Sequence, residues 1–237
     1  MNQHSIFSLG DSAATIDFGN IISEEANKKA VAIQTWLSEN PFPGIRDLVV
    51  AYSSLTVIYD ADVVRSSKTA PGTVFSYVQE RLEEALKESK VVERGKNIKR
   101  IPVCYDPSFG YDLYTVAEEK QLSVEEVIKV HTSEVYRVYM IGFLPGFPYM
   151  ASVNERIAVA RKPKPRTLVK GGSVGLAGRQ TGIYPMDSPG GWQIIGRIPM
   201  KLFDRNRPGS QIIKAGDYVQ FYPIALKEFL TLSQTKS

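Results

Sequence analysis

Three segments of this chain gather residue types able to bind or activate a small polar ligand. The first runs Gly142-Phe143-Leu144-Pro145-Gly146-Phe147-Pro148-Tyr149. Its prolines and glycines fix a loop at low entropic cost, and Phe143, Phe147 and Tyr149 supply apolar area for a pocket wall or a partner surface. The same aromatics would serve equally well as a plug for the end of a barrel. The second segment is basic: from Ile157 to Met186 there is no Asp or Glu, against six cations, Arg161, Lys162, Lys164, Arg166, Lys170 and Arg179. Arg166 and Lys170 flank the turn Gly171-Gly172-Ser173, whose successive amides can form an anion nest, so a carboxylate or a phosphate is the matching ligand. A solvated basic edge that discourages strand pairing is the competing reading. On the anion-site reading, loss of Arg166 or Lys170 costs activity and little stability, while loss of Lys162 is neutral. In the third segment Gln180, Thr181 and Tyr184 offer donors and acceptors to an amide-like ligand, and Trp192 serves as a lid or a core anchor.

Other chemistries lack their residues. Cys104 is the single cysteine, so an internal disulfide and a cysteine zinc site are excluded. It lies in a strand-like run, Ile101–Tyr105, where a buried inert thiol is expected. The histidines are His4 and His131. A Ser-His-Asp hydrolase would have to use His131, and no G-x-S-x-G elbow accompanies it. His131 falls at a helix end, either as a structural residue favoured by the negative terminus or as part of a pocket wall or partner surface. No group of residues suggests a metal site. The Gly171–Gly175 run lacks the Gly-Lys-Ser/Thr ending of a P-loop, and no G-x-G-x-x-G occurs. Any ATP site is therefore unconventional, or lies in or against a partner.

The elements that must position these segments fall into two groups. Ala13–Phe18 alternates as a strand with Ala14, Ile16 and Phe18 on one face. Ser23 N-caps a helix whose Ala26, Ala30, Ile33 and Leu37 form a stripe. Strands 45–51 and 55–59 follow as a hairpin, and Pro71-Gly72 opens a second helix carrying Val74, Val78, Leu82 and Ala85. With Ile98–Tyr105 as a last strand the order is β-α-β-β-α-β, the ferredoxin-like pattern. The polar run Glu93–Asn97 marks a boundary, giving an α/β sandwich over 1–95 and a second domain over 96–237. There, Ser123-Val124-Glu125-Glu126 forms a capping box. Beyond Val135 short strands such as Tyr136–Ile141, Trp192–Ile198 and Tyr218–Tyr222 alternate with turns. Eight of the 18 glycines fall between Gly171 and Gly196, which indicates a compact β-barrel.

Composition agrees with a soluble globular α+β protein: 237 residues, 43% hydrophobic and 23% charged. No apolar run is long enough to span a membrane, and residues 1–10 lack the basic-then-apolar pattern of a signal peptide, so a cytoplasmic location is expected. A net charge of +4, without dense basic patches or a recognisable module, argues against nucleic-acid binding.

Taken together, Gly142–Met150 (GFLPGFPYM), Pro165–Gly178 (PRTLVKGGSVGLAG) and Gln180–Pro199 (QTGIYPMDSPGGWQIIGRIP) resemble the KipI family, also called allophanate hydrolase subunit 1. Leu9–Gly19 and Asp112–Val138 match as well, so the resemblance covers nearly the whole chain. It implies an N-terminal α/β domain followed by a cyclophilin-like β-barrel. It also implies a subunit of an ATP-dependent 5-oxoprolinase, inactive alone, that opens 5-oxoproline to glutamate. The implied partners are a KipA-like (PxpC-like) and a PxpA-like subunit, with ATP as co-substrate of the complex. Some family members inhibit a sporulation histidine kinase, which is the alternative role. Arg166, Lys170, Ser173, Gln180, Thr181, Tyr184 and Trp192 fall on the matching motifs and take a general site role from the resemblance.

Overall fold

The alternation of Ala13–Asp17 (β2) places Ala14 and Ile16 fully inside an antiparallel sheet, as its pattern requires. In the computed structural model, residues 4–67, 72–91, 98–203 and 212–234 are described. Pro71 and the expected boundary run after Val91 lie outside these residues. The chain divides into two units, Met1–Gly95 and Lys96–Ser237.

The first unit holds a sheet with strand order β1-β2-β4-β3, formed by Ser5–Ser8 (β1), β2, Ile45–Val50 (β3) and Ser54–Tyr59 (β4), all antiparallel. Its helix Glu24–Glu39 (α1) begins at Ser23, whose hydroxyl accepts the Ala26 amide at 3.3 Å, and buries the expected stripe. Ala61–Ser67 forms α2, and Val74–Glu88 forms α3, capped by Thr73, with Val78, Leu82 and Ala85 buried. Strand β1 and helix α2 were not expected. Strand β1 pairs with β2 through the Gly10 turn and occupies the edge beside β2.

The last strand of the β-α-β-β-α-β pattern, which lies beyond the expected boundary at 95, belongs to the second unit. Ile98–Val103 (β5) runs parallel to Tyr218–Pro223 (β13), more than a hundred residues away. Between them come the helices Leu113–Glu119 (α4) and Val124–Ser133 (α5), then the strands Tyr136–Ile141 (β6), Pro148–Ala151 (β7), Arg166–Val169 (β8), Ser173–Ala177 (β9), Gln180–Ile183 (β10), Ser188–Gly190 (β11) and Gln193–Arg197 (β12). Helix α5 starts with the expected capping box, in which Glu126 accepts the Ser123 amide at 2.9 Å. Leu226–Gln234 (α6) follows β13. Among the described residues seven strands form one sheet in the order β12-β9-β10-β7-β6-β13-β5. A bridge between Cys104 and Arg197 brings the two edges together, so the sheet nearly closes into a barrel. Strands β8 and β11 pair separately as a two-stranded flap, with Gly190 opposite Arg166.

His131 belongs to the barrel interior, not to a pocket wall or partner surface. It is fully buried, stacked on Phe221 at 4.7 Å and 17°. The Thr181 hydroxyl donates its one proton to the Gly175 carbonyl at 3.1 Å, so it must accept from His131 Nε2–H at 3.1 Å. Nδ1 then accepts from the Tyr105 hydroxyl at 2.7 Å. Every polar atom in this relay has a partner, which is what lets a neutral imidazole sit in an apolar core. Burial pushes the His131 pKa down to about 3. In the unfolded chain it stays near 6.5. Between these values the unfolded state holds the additional proton, so folding stability is complete above about pH 6.5 and falls as pH drops below it. We therefore expect about 2 kcal/mol of this contribution to be lost between pH 7 and pH 5. Urea unfolding at both values should show that loss in the wild type and not in His131→Gln, whereas equal slopes would contradict it.

Candidate functional site

Asp112 organises the region where the motifs meet, and it was not singled out from the sequence. It sits at the N-cap position of α4, yet its side chain does not cap that helix. The carboxylate instead reaches across the fold. Oδ1 accepts from Arg166 Nη2 at 2.6 Å and from Lys162 Nζ at 3.0 Å, and Oδ2 accepts the Ile194 amide at 2.7 Å. Its own amide donates to the Ile194 carbonyl. Burial alone would raise the Asp112 pKa, but the hydrogen bonds from Arg166, Ile194 and Lys162 outweigh it and hold the carboxyl below its ordinary value. The 161–166 segment and the flap are thereby tied to strand β12.

Beside this anchor lies an aromatic cluster. Phe147 is buried and meets Tyr184 and Trp192 edge-on, at 5.2 and 5.3 Å. Tyr149 packs against both Phe147 and Trp192. The close packing requires glycine twice: a Cβ on Gly182 would stand 2.9 Å from the Phe147 ring, and one on Gly190 would stand 2.3 Å from Tyr184 Oη. Burial raises the Tyr184 phenol, opposed by a hydrogen bond from the Trp192 amide and by the nearby Arg161 and Arg166 charges. Phe143 behaves differently from its neighbours. It is 62% exposed, with φ +65 and a Leu144 amide donating to the Gly142 carbonyl at 2.8 Å. This left-handed conformation is unfavourable for a bulky side chain; the ring is largely exposed, with one contact edge-on to Phe147 at 5.7 Å.

The remaining candidates separate. Lys170 pairs at 2.8 Å with Asp187, both about half exposed, and Asp187 also accepts the Gly171 amide at 2.8 Å. The Gly172 and Ser173 amides donate to the Tyr184 and Lys170 carbonyls. The turn thus does hold a carboxylate, but it is the chain's own. Thr181 is committed to His131, and Ser173 is fully buried with a hydroxyl that has no partner among the described residues. Gln180 is half-buried on β10, opposite Ala151 and Ala177. Arg166, Tyr184 and Trp192 are therefore the predicted residues that come together, with Tyr149 and Phe147. Lys162 is no neutral bystander, because it shares Asp112. Among the described residues no group of three or more His, Cys, Asp and Glu could hold a metal ion. No helix among them is long and apolar enough to cross a membrane.

Residues 4–213 match the carboxyltransferase domain, subdomain C and D, family model. A 5-oxoprolinase subunit of Bacillus subtilis (strain 168) is 43% identical over 229 residues, covering 96% of this chain and 95% of that protein. The 5-oxoprolinase subunit of the same name from Escherichia coli O157:H7 is 33% identical and covers 94% and 97%. The chain belongs to this family of 5-oxoprolinase subunits. Among solved structures, TTHA0988 superposes with a TM-score of 0.77 at 38% identity over 90% of this chain, which spans only 40% of that protein. PH0987 from Pyrococcus horikoshii is 43% identical, with a TM-score of 0.55 and coverage of 95% and 100%. The urea amidolyase of K. lactis shares the fold at 16% identity, with a TM-score of 0.76 over 98% of this chain and 15% of its own length.

The anchor makes a prediction opposite to that of a simple surface cation. Arg166→Ala leaves a buried carboxylate short of its best partner and should cost about 2 kcal/mol. Lys170→Ala removes one half of an exposed pair and should cost less than about 0.5 kcal/mol. Urea unfolding of both variants checks this, and equal losses would contradict it.

Proposed function

We propose that this chain is a subunit of an ATP-dependent 5-oxoprolinase, which opens the lactam of 5-oxoproline to L-glutamate with ATP hydrolysis. The observation that carries the reading is its similarity, over nearly its whole length and theirs, to proteins named as 5-oxoprolinase subunits. On this reading the first unit is a variant of the ferredoxin-like sandwich in which β1 takes the edge that the pattern gives to its last strand, the second is a cyclophilin-like barrel, and the boundary falls near Gly95. The subunit works in the cytoplasm with a KipA-like (PxpC-like) and a PxpA-like partner. The chemistry gives ATP a clear task. An amide carbonyl is a poor electrophile, and phosphorylating its oxygen creates a leaving group and couples nucleotide use to ring opening. Cations and amide donors stabilise the charge that develops. Arg166 and Tyr184 are the candidates for that role, Arg166 through the Nη1 donor that has no acceptor among the described residues while Nη2 stays on Asp112, whereas Lys170 would have to leave Asp187 first. The exposed Phe143 favours one further role, docking of its loop onto a sensor histidine kinase.

The test is reconstitution. The purified chain should open no 5-oxoproline, and addition of both partner subunits with ATP should yield glutamate in step with ADP. Robust turnover by the lone chain, or none by the complete assembly, would overturn the proposal.

A further inference from the structure

Of the six cations in the acid-free run, four have a carboxylate partner: Lys162 and Arg166 on Asp112, Lys170 on Asp187, and Arg179 on Glu155. Arg161 is exposed and forms no ion pair among the described residues. Its guanidinium lies over the Trp192 ring, 5.8 Å from the centroid. It is also close enough to Tyr149 and Tyr184 to pull both phenols down against the upward push of burial. A cation held over a ring by its quadrupole spends none of its N–H donors on that contact. Trp192 thus holds in place a group whose fork of donors matches a carboxylate. The surroundings favour an anion as well. Arg161, Lys162 and Arg166 have one carboxylate, Asp112, among them, so the cluster is positively charged in excess. Arg166 also keeps a buried Nη1 donor without an acceptor among the described residues, and such a donor gains from an incoming oxygen. The half-buried Tyr149 ring supplies an apolar wall for a flat ligand.

Resting on the reading above, we infer that Arg161, oriented by Trp192, binds the carboxylate of a small planar lactam substrate within this chain. Lys170, one of the two cations that sequence spacing favoured, serves only to close the Gly171 turn onto Asp187.

Two measurements test this. In the assembled enzyme, Arg161→Gln should raise KM for 5-oxoproline tenfold or more while changing kcat less, because the lost contact binds the substrate rather than the reacting bond. Arg161→Lys should fall between, since it keeps the charge without the fork, and Lys164→Ala should match the wild type. In the lone chain carrying Trp36→Phe, the emission of Trp192 should change saturably with 5-oxoproline. With 2-pyrrolidinone, the same ring without a carboxylate, the response should be at least tenfold weaker. An unaltered KM for Arg161→Gln overturns the inference, as does equal binding of the two lactams. The absence of a saturable response overturns the placement of the site in this chain. A response to inorganic phosphate but not to 5-oxoproline would make this a phosphoryl site and refute the carboxylate assignment. Failure of the wild-type assembly to open 5-oxoproline at all is a separate result, which removes the underlying functional reading instead.

Discussion

The Asp112 carboxylate is the constraint on which the second unit's chemistry depends. A carboxylate withdrawn from water is costly unless cations and amides surround it, and here Arg166, Lys162 and the Ile194 amide do so. That requirement fixes three pieces of chain that no local preference would bring together: the start of α4, the 161–166 segment, and strand β12. The flap formed by β8 and β11 follows, because Arg166 is its first residue and pairs with Gly190. Once the flap is set, Tyr184 fits under Gly190, and Trp192 stands beneath the Arg161 guanidinium.

The interior follows the same logic in uncharged form. The Tyr105, His131 and Thr181 side chains pass hydrogen bonds across the barrel from the β5 end to β10. Because each donor and acceptor is used, the relay fixes one imidazole tautomer and one strand arrangement, and it keeps His131 away from any exposed surface. A polar network of this kind is specific because breaking any member strands the others.

Elements governed by local pattern were legible in the sequence. The stripes of α1 and α3, the Ser123 capping box and strand β6 all stand where periodicity and capping chemistry put them. Contacts across long separations were not. Strand β5 carries an ordinary strand pattern, and nothing in Ile98–Val103 says that its partner is β13 and not a strand of the first unit. Nothing local marks Asp112, because its partners lie fifty or more residues away. Lys170 shows the limit of counting charges. The acid-free window ends at Met186, and the next residue, Asp187, is the one that neutralises it. Conversely, the aromatic loop and the Gly-rich segments, adjacent only in composition, do meet in the fold, because Phe147 and Tyr184 pack where Gly182 and Gly190 leave room for their rings.

The role given to Asp112 stands or falls on a double-mutant cycle with Arg166. Unfolding free energies of Asp112→Asn, Arg166→Met and the double variant, measured in urea, isolate their coupling. About 1–3 kcal/mol of favourable coupling is expected, with Lys170 uncoupled from Asp112 in the same experiment. Coupling below about 0.5 kcal/mol between Asp112 and Arg166 would contradict that role, and would mean that the flap is held by backbone pairing and apolar packing alone.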